Sequence, residues 1–171
     1  MNYFRYVAVT VFIAAVTSGC ATRGPETFEP LPFDEAEYAA LSKKGTGTVR
    51  GQVFATTAGG DVKKGAGRNV VMFPATRYGN LRYQEQVIGG KLLSRAEDAR
   101  YKDYVLLKVT DGEGRFELLN VPPGHYYVLS DVTWIVMEPN KFGAIERTQG
   151  GKVVRKIEVK NEVTTDAILN F

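Results

Sequence analysis

Apolar and polar residues alternate along most of the chain after residue 46, which is the pattern of β-strands with one buried face. In Thr48 to Ala55, for example, Val49, Gly51 and Val53 share one parity and alternate with polar residues. The segments with strand character are 48–55, 70–75, 105–110, 116–118, 125–137, 152–160 and 163–171. Short strands at this spacing, with little helical pattern, predict a mainly β fold, a seven-stranded antiparallel β-sandwich.

Turn residues separate several of these segments. Asp111-Gly112-Glu113-Gly114 predicts a tight hairpin turn, and Pro122-Pro123-Gly124 predicts a second reversal of the chain. Asn161-Glu162 predicts a final hairpin between the last two strands. The Gly- and Lys-rich stretch 59–68 is predicted to be a loop.

A short helix is predicted over residues 35–43. Asp34 is suited to cap its first turn, while Phe33 and Tyr38 stand where a hydrophobic staple would form. Gly45 follows the expected end of the helix. The expected role of this helix is to dock the preceding segment onto the domain, with partner binding as the alternative.

The first 19 residues have the pattern of a secretory signal peptide. Arg5 precedes an uncharged apolar run, and the small residues Ser18 and Gly19 stand before Cys20. This arrangement resembles the lipobox of bacterial lipoproteins, which implies cleavage before Cys20 and lipidation of its thiol. The alternative is an ordinary secreted protein with a chance cysteine. Ala21 is not the Asp of an inner-membrane retention signal, so the expected location is the outer membrane, facing the periplasm.

The expected organisation is therefore a signal peptide at residues 1–19, a lipidated cysteine with a Pro-rich tether and the short helix at 20–45, and a β domain at 46–171. Pro25, Pro30 and Pro32 lie in the tether among residues with little capacity to pack, which indicates an extended linker.

The stretch Thr110-Asp111-Gly112-Glu113-Gly114-Arg115-Phe116, followed by Val121-Pro122-Pro123-Gly124-His125-Tyr126, resembles the carboxypeptidase regulatory-like domain, a transthyretin-like β-sandwich. The resemblance extends over about residues 46–171. It implies structural roles for the motif residues, with turns shaped by the Asp and Gly residues and the core filled by the aromatic ones. The motif residues are Asp111, Gly114, Phe116, Pro123, Gly124 and Tyr126. The family resemblance implies no catalytic residue.

Residues 77–104 form an insertion between the second and third predicted strands, longer than an unstructured connection in a compact domain usually is. Leu92, Leu93 and Ala96 recur at helical spacing, so residues 91–99 are predicted to form a helix and the insertion to be partly helical. The insertion is rich in Tyr and Arg, the residue types that dominate binding hot spots. The candidate binding residues are Arg77, Tyr78, Arg82, Tyr83, Arg100 and Tyr101. The alternative is a lid over one end of the sandwich.

The composition of the chain argues against several classes of partner and active site. Removal of residues 1–19 leaves 21 basic residues (22 less Arg5) against 19 acidic ones, a near-balance that indicates no nucleic-acid partner. The only cysteine is Cys20 and the only histidine is His125, so no disulfide and no zinc set of Cys and His is expected. Neither a catalytic triad nor a nucleotide fingerprint is present. We expect no enzyme activity, no metal and no cofactor.

The leading prediction is a lipid-anchored envelope protein that acts as a non-catalytic binding or scaffold domain for another envelope component. The alternative is a glycan- or peptidoglycan-binding module that uses Tyr78, Tyr83, Tyr101 or Trp134, although the parity of Trp134 favours the core. A third possibility, based on fold analogy alone, is a secretion-system-associated outer-membrane lipoprotein. The expected partners are the membrane and an envelope protein or glycan.

Overall fold

A computed structural model describes residues 24–171 and shows a mainly β protein. The strands are β1 (Thr27–Phe28), β2 (Gly47–Thr56), β3 (Val62–Lys64), β4 (Asn69–Pro74), β5 (Leu92–Leu93), β6 (Leu106–Val109), β7 (Arg115–Val121), β8 (Gly124–Asn140), β9 (Gly143–Val159) and β10 (Thr164–Leu169). The helices are α1 (Glu35–Ala39) and α2 (Arg77–Arg82), with a π-helical segment (Tyr83–Ile88) and a 3-10 helix (Ala99–Tyr104). The predicted fold class is confirmed at this level.

Two four-stranded sheets share one hydrophobic core. One sheet has the antiparallel order β6-β4-β8-β9, and in the other β2 pairs with β10, β7 and β3. Val53 and Leu169 of the second sheet belong to the same buried cluster as Met72, Val128 and Val159 of the first. The β-branched and long aliphatic residues of one parity on each strand therefore face each other between the sheets.

The strand count and the pairing differ from the sequence-based prediction. The two sheets contain eight strands instead of seven, because β3 lies inside the stretch 59–68 predicted to be a loop. The sheet that contains β2 is also mixed, since β10 runs parallel to β2 with Ala167 opposite Gly51. The sequence pattern did not reveal β3, because its three residues, Val62-Lys63-Lys64, include only one apolar side chain.

The predicted hairpins at 111–114 and 161–162 are wrong, although the chain does turn at both places. Strand β6 pairs with β4 whereas β7 pairs with β2, so the turn at Asp111 carries the chain from one sheet to the other. The turn at Asn161 does the same between β9 and β10. Turn residues encode a reversal of direction, and they do not encode the strand with which the next segment pairs.

The hairpin of β8 and β9 is longer than the predicted segments 125–137 and 152–160. Its strands have 17 residues each and pair without a register shift from Gly124 opposite Val159 to Asn140 opposite Gly143. Strand β4 accompanies β8 only as far as Leu129. Residues 135–148 pair only with each other in that ladder and form a two-stranded ribbon, which we call the arm.

Residues 27–39 cross the insertion as a strap, which departs from the prediction of an extended linker. Strand β1 pairs in parallel with β5, and the Leu92 amide donates to the Glu26 carbonyl over 2.9 Å. Helix α1 is shorter than predicted, but its cap is confirmed by the Glu37 amide, which donates to Asp34 Oδ1 over 3.0 Å. The ring of Phe33 stacks on that of Tyr38 at 4.7 Å.

The helix predicted over residues 91–99 is wrong. Leu92 and Leu93 form β5, and the helices of the insertion lie on either side of it, at 77–88 and 99–104. The apolar spacing of Leu92 and Leu93 mimicked a helix face, whereas their backbone groups pair with the strap. The insertion joins β4 to β6, which are antiparallel neighbours in one sheet. It therefore takes the place of the short loop of a β-hairpin.

The predicted signal peptide, Cys20 and the residues up to 23 lie outside the described residues. Within 24–171, no helix is both long and apolar enough to cross a membrane.

Candidate functional site

The tyrosines predicted to bind a partner lie in an aromatic cluster beneath the strap. Tyr38, Tyr78 and Tyr101 are all buried. The rings of Tyr78 and Tyr101 stack at 4.2 Å between centroids, and Tyr38 meets Tyr101 edge to face at 5.4 Å. Phe33 and Tyr104 pack at the margin of the cluster. The aromatic rings of the cluster are buried against one another, and this packing attaches the strap and α1 to the insertion.

Each buried hydroxyl of the cluster has a partner. Tyr38 Oη is 2.7 Å from Thr76 Oγ1, and Tyr101 Oη donates to the Leu31 carbonyl over 3.1 Å. Tyr78 Oη donates to a Glu97 carboxylate oxygen. The rings of the cluster are therefore packed, and their buried hydroxyls all have hydrogen-bond partners, as buried tyrosines require.

The arginines and Tyr83 are also engaged within the chain. Arg82 lies over the ring of Phe73 at 5.1 Å, with its Nη1 3.6 Å from Glu97. Tyr83 stacks on Tyr127 at 4.5 Å between ring centroids. The structure thus brings these side chains together as an internal cover for the sandwich.

Arg100 joins the strap to the insertion. It donates to Asp98 from Nε over 3.0 Å and from Nη2 over 2.8 Å, it contacts Glu35, and it lies 4.3 Å from the centre of the Phe33 ring. Hydrogen bonds from Arg100 lower the pKa of Asp98 to about 2. Arg77 is the most exposed of the six predicted residues, with its Nη1 3.8 Å from Asp34.

We predict that the tyrosines of the cluster resist ionisation and that the protein loses stability in alkali. Burial raises the pKa of Tyr38 to about 12 and raises that of Tyr78 further, with a contribution from Glu97. The neutral phenols therefore stabilise the fold fully below the ordinary pKa of about 10, and this contribution is lost as pH rises through the higher folded values. Difference absorbance of tyrosinate against pH, in native and in denaturant-unfolded protein, measures it. Coincident native and unfolded titrations would contradict this assignment.

The motif residues lie in turns, at the start of β8 and in the core. Asp111 Oδ1 accepts hydrogen bonds of 2.8 Å from the Glu113 and Arg115 amides, which lower the pKa of Asp111. Phe116 and Tyr126 belong to the core cluster. Of the remaining motif residues, Gly114 and Pro123 lie in the turns that flank β7, and Gly124 is the first residue of β8. His125 is exposed on β8, opposite Glu158 of β9.

Across residues 24–171, no three His, Cys, Asp or Glu side chains are grouped to hold a metal ion.

Further along β8, where the arm begins, lies a second cleft, which we call the Trp134 cleft. Its volume is about 590 Å³. It lies between the β2–β3 loop and the start of the arm, and it is lined by two aromatic side chains together with several polar groups. Its lining residues include Thr56, Thr57, Asp61, Lys63, Trp134, Gln149, Gly150 and Phe171.

Trp134 is half-buried, with its inner part packed against the core, as its parity predicted. Gly150, which is opposite Thr133 in the β8–β9 ladder, lies close to the indole and has a positive φ of 97°. A Cβ at Gly150 would lie 2.9 Å from Trp134 Cζ3 and 2.0 Å from the Val132 carbonyl oxygen. Gly150 therefore provides the space that the indole occupies.

The loop that faces Trp134 is held by hydrogen bonds between its own residues. The Thr57 amide donates to the Asp61 carbonyl over 2.9 Å, and the Asp61 amide donates to Thr57 Oγ1 over 3.0 Å. Lys63 Nζ lies 3.9 Å from Asp61 Oδ2, and the Thr56 amide donates to the Phe171 carbonyl over 3.1 Å. The cleft thus has ordered walls with a carboxylate, an ammonium, hydroxyls and an amide beside an aromatic surface.

Sequence reasoning identified Trp134 as a glycan candidate and missed the rest of the cleft. The tyrosines named with it, Tyr78, Tyr83 and Tyr101, lie in the insertion, and the second aromatic residue of the cleft is Phe171. Asp61, Gln149 and Phe171 come from three separate chain segments. Only the register of β8 with β9 and of β2 with β10 places them together.

Comparison with solved structures gives an informative match. PA1324 of Pseudomonas aeruginosa, described as a candidate carbohydrate binding protein, superposes with a TM-score of 0.70 at 30% sequence identity. The match covers 81% of this chain and 97% of that one. The chain belongs to the same family as this Pseudomonas protein.

The other comparisons add nothing to this assignment. Catechol 1,2-dioxygenase from Pseudomonas arvilla C-1 aligns over 86% of this chain and 58% of its own at 12% identity, but its TM-score of 0.28 is too low to support an argument. No protein-family model matches the chain, and no curated protein matches it by sequence.

Proposed function

We propose that this protein binds a carbohydrate in the Trp134 cleft. The observation that carries the proposal is a partly exposed Trp134 in an open cleft lined with polar groups, in a family with a member described as a candidate carbohydrate binding protein. This favours the glycan-binding alternative over the scaffold role that led the sequence-based predictions.

The chemistry of the cleft suits a sugar. The apolar C–H face of a pyranose ring packs on an indole, while its hydroxyls require a mixture of donors and acceptors within reach. Asp61 offers only acceptors, Lys63 only donors, and Gln149 and the two threonines offer both. The loop 57–61 is already hydrogen-bonded in place, so little ordering is needed on binding.

The proposal includes the export and the lipid anchor that the sequence predicts at Cys20, and a transthyretin-like topology for the sandwich. The strap shortens the reach of such an anchor. Seven residue steps separate Cys20 from Thr27 of β1, which at full extension span roughly 25 Å. The domain would therefore be held close to the membrane surface, and the cleft would sample glycans of the envelope. No enzymatic step is part of this function.

Trp134 is the only tryptophan of the chain, so its fluorescence reports directly on the cleft. We expect titration with oligosaccharides, both N-acetylhexosamine oligomers and neutral glucans, to shift or quench the emission with saturation for one of these classes. Trp134→Ala should weaken binding at least about tenfold by calorimetry, and Trp134→Phe should retain part of the affinity because it keeps an aromatic face.

Phe142→Ala is the matched control, since it removes an exposed aromatic residue of the arm outside the lining of the cleft. It should leave the affinity unchanged. Binding that survives Trp134→Ala at full strength, or the absence of saturable binding for every saccharide class, would refute the assignment of the cleft.

A further inference from the structure

The outer edge of β9 is unpaired in the sheet that the described residues form. Strand β9 stands at the end of the order β6-β4-β8-β9, with β8 on its inner side. Its 17 residues make this a long edge, and a long unpaired edge is a template for adding a strand.

The arm that carries part of this edge also exposes apolar side chains. Ile135 is 63% exposed and Met137 59%, both on the outward parity of β8, and Phe142 at the turn is 97% exposed. A two-stranded ribbon is only marginally stable alone in water. Exposed apolar groups on such a ribbon indicate an interaction surface.

Three basic side chains of β9 are directed away from its outer edge. Lys152 Nζ donates to the Gln86 carbonyl over 3.1 Å, Lys156 Nζ lies 5.4 Å from the centre of the Tyr127 ring, and Arg155 Nη1 donates to the Ile168 carbonyl over 3.4 Å. Lys152 and Lys156 thus lie toward their own sheet face and Arg155 toward β10, so none shields the edge.

We propose that a second copy of this chain pairs with the outer edge of β9, antiparallel, about a two-fold axis through Gln149. The result is a symmetric dimer in which the two sheets continue into one another. Isologous pairing of this kind buries the same strand in both copies and leaves no free edge there.

Charge complementarity selects this register. With Gln149 opposite Gln149 of the second copy, Glu146 is the cross-strand neighbour of Lys152, whose ammonium has donors left beside the one to the Gln86 carbonyl, and the symmetry makes this pair twice. The same register sets Ile145 opposite Val153. Opposite charges and apolar pairs directly across an antiparallel ladder are stabilising, whereas like charges are not.

The neighbouring centres are less favourable. An axis through Thr148 or Gly150 places no opposite charges face to face. An axis through Gly151 sets Glu146 against Lys156, but it also sets Arg147 against Arg155, and an axis through Lys152 sets that residue against itself and Glu146 against Glu158. Centres further toward the end of β9 are excluded, because Thr165 Oγ1 already donates to the Glu158 carbonyl over 3.3 Å.

The length of the arm is explained by this pairing. Residues 143–148, which extend past the paired part of β4, lie beside residues 150–155 of the second copy, next to its sandwich. Each arm is then supported by the other molecule. The ribbon that would be marginal in a monomer becomes the inner part of an eight-stranded sheet.

The dimer also deepens the proposed function, on which this one consequence rests. Trp134 is the partner of Gln149 in the β8–β9 ladder. The two Trp134 residues would lie on the same face, three strand spacings apart, or about 14 Å. Two clefts at that spacing suit a polymeric glycan that reaches both, with a gain from linked binding.

Disulfide capture tests the register. In the full chain with Cys20→Ser, an introduced thiol is the only one. Gln149→Cys should form a disulfide-linked dimer on mild oxidation, since the two residues face each other across the axis. Ala144→Cys, whose symmetry copy is ten strand positions away, should not. Equal crosslinking at both positions, or none at Gln149→Cys, would overturn the proposal.

Charge reversal tests the interface in solution. Sedimentation should show that Glu146→Lys and Lys152→Glu each weaken dimerisation about tenfold and that the double reversal restores it to within about threefold. A wild-type chain that remains monomeric at millimolar concentration would also overturn the proposal. None of these measurements involves a saccharide, so the failure of the dimer and the failure of carbohydrate binding are separate results.

Discussion

Replacing Tyr101 by alanine should lower the free energy of unfolding by about 3–5 kcal/mol, the range for removing a large buried aromatic side chain. Tyr101 contacts the rings of Tyr78, Tyr38 and Phe33, and its hydroxyl donates to the Leu31 carbonyl. One substitution therefore removes the centre of the aromatic cluster and a hydrogen bond to the strap.

Urea denaturation measures the effect, and limited proteolysis shows where it acts. Cleavage should appear within residues 24–45 of Tyr101→Ala under native conditions, because the strap loses its attachment before the sandwich unfolds. Tyr101→Phe, which keeps the stacking and loses only the hydroxyl, should cost about 0.5–1.5 kcal/mol. A loss as small for Tyr101→Ala as for Tyr101→Phe would show that the cluster does not hold the strap.

Gly51→Ala should destabilise the sandwich by about 3 kcal/mol or more, at the upper end of overpacking effects. Gly51 lies in β2, which is paired with β10 on one side and β7 on the other. A Cβ at this position would be 1.9 Å from the Ala167 carbonyl oxygen and 2.8 Å from Phe116 Cε1. The Ala167 carbonyl belongs to the paired backbone of β10, so relief requires a shift of that strand.

Gly112→Ala is the matched control, because a Cβ there meets nothing within 4 Å. Thermal unfolding of the two variants beside the wild type should show a large fall in Tm for Gly51→Ala and almost none for Gly112→Ala. Equal effects would mean that the central strand accommodates a methyl group, and the close approach of β2 and β10 would then not constrain the core.

The two regions rich in aromatic residues have different physical roles. In the insertion, Tyr78 and Tyr101 are covered on both faces and attach the strap. Further along β8, where the arm begins, Trp134 has the core on one side and an open cleft on the other. Abundance of Tyr and Arg in a segment therefore did not locate exposed binding surface here, because those side chains found partners within the same chain.

The strap changes how the N-terminal region is understood. Its prolines and polar residues indicate a linker by composition, yet Phe28 is buried and β1 pairs with β5. Two backbone-paired residues and two aromatic anchors, Phe33 and Tyr38, are enough to attach this segment. Composition averages over such sparse contacts, which is why the linker prediction missed them.

The sequence by itself determined the mainly β class, the positions of most strands, the cap of α1 at Asp34 and the core parity of the motif residues Phe116 and Tyr126. These features depend on residues near each other in the chain, where alternation and capping act directly. Only the tertiary structure decided which strands pair, that β10 runs parallel to β2, that the strap covers the insertion, and that Asp61, Gln149 and Phe171 meet at Trp134. Those outcomes depend on contacts between residues distant in sequence, whose free energies emerge only when the two sheets close over a common core.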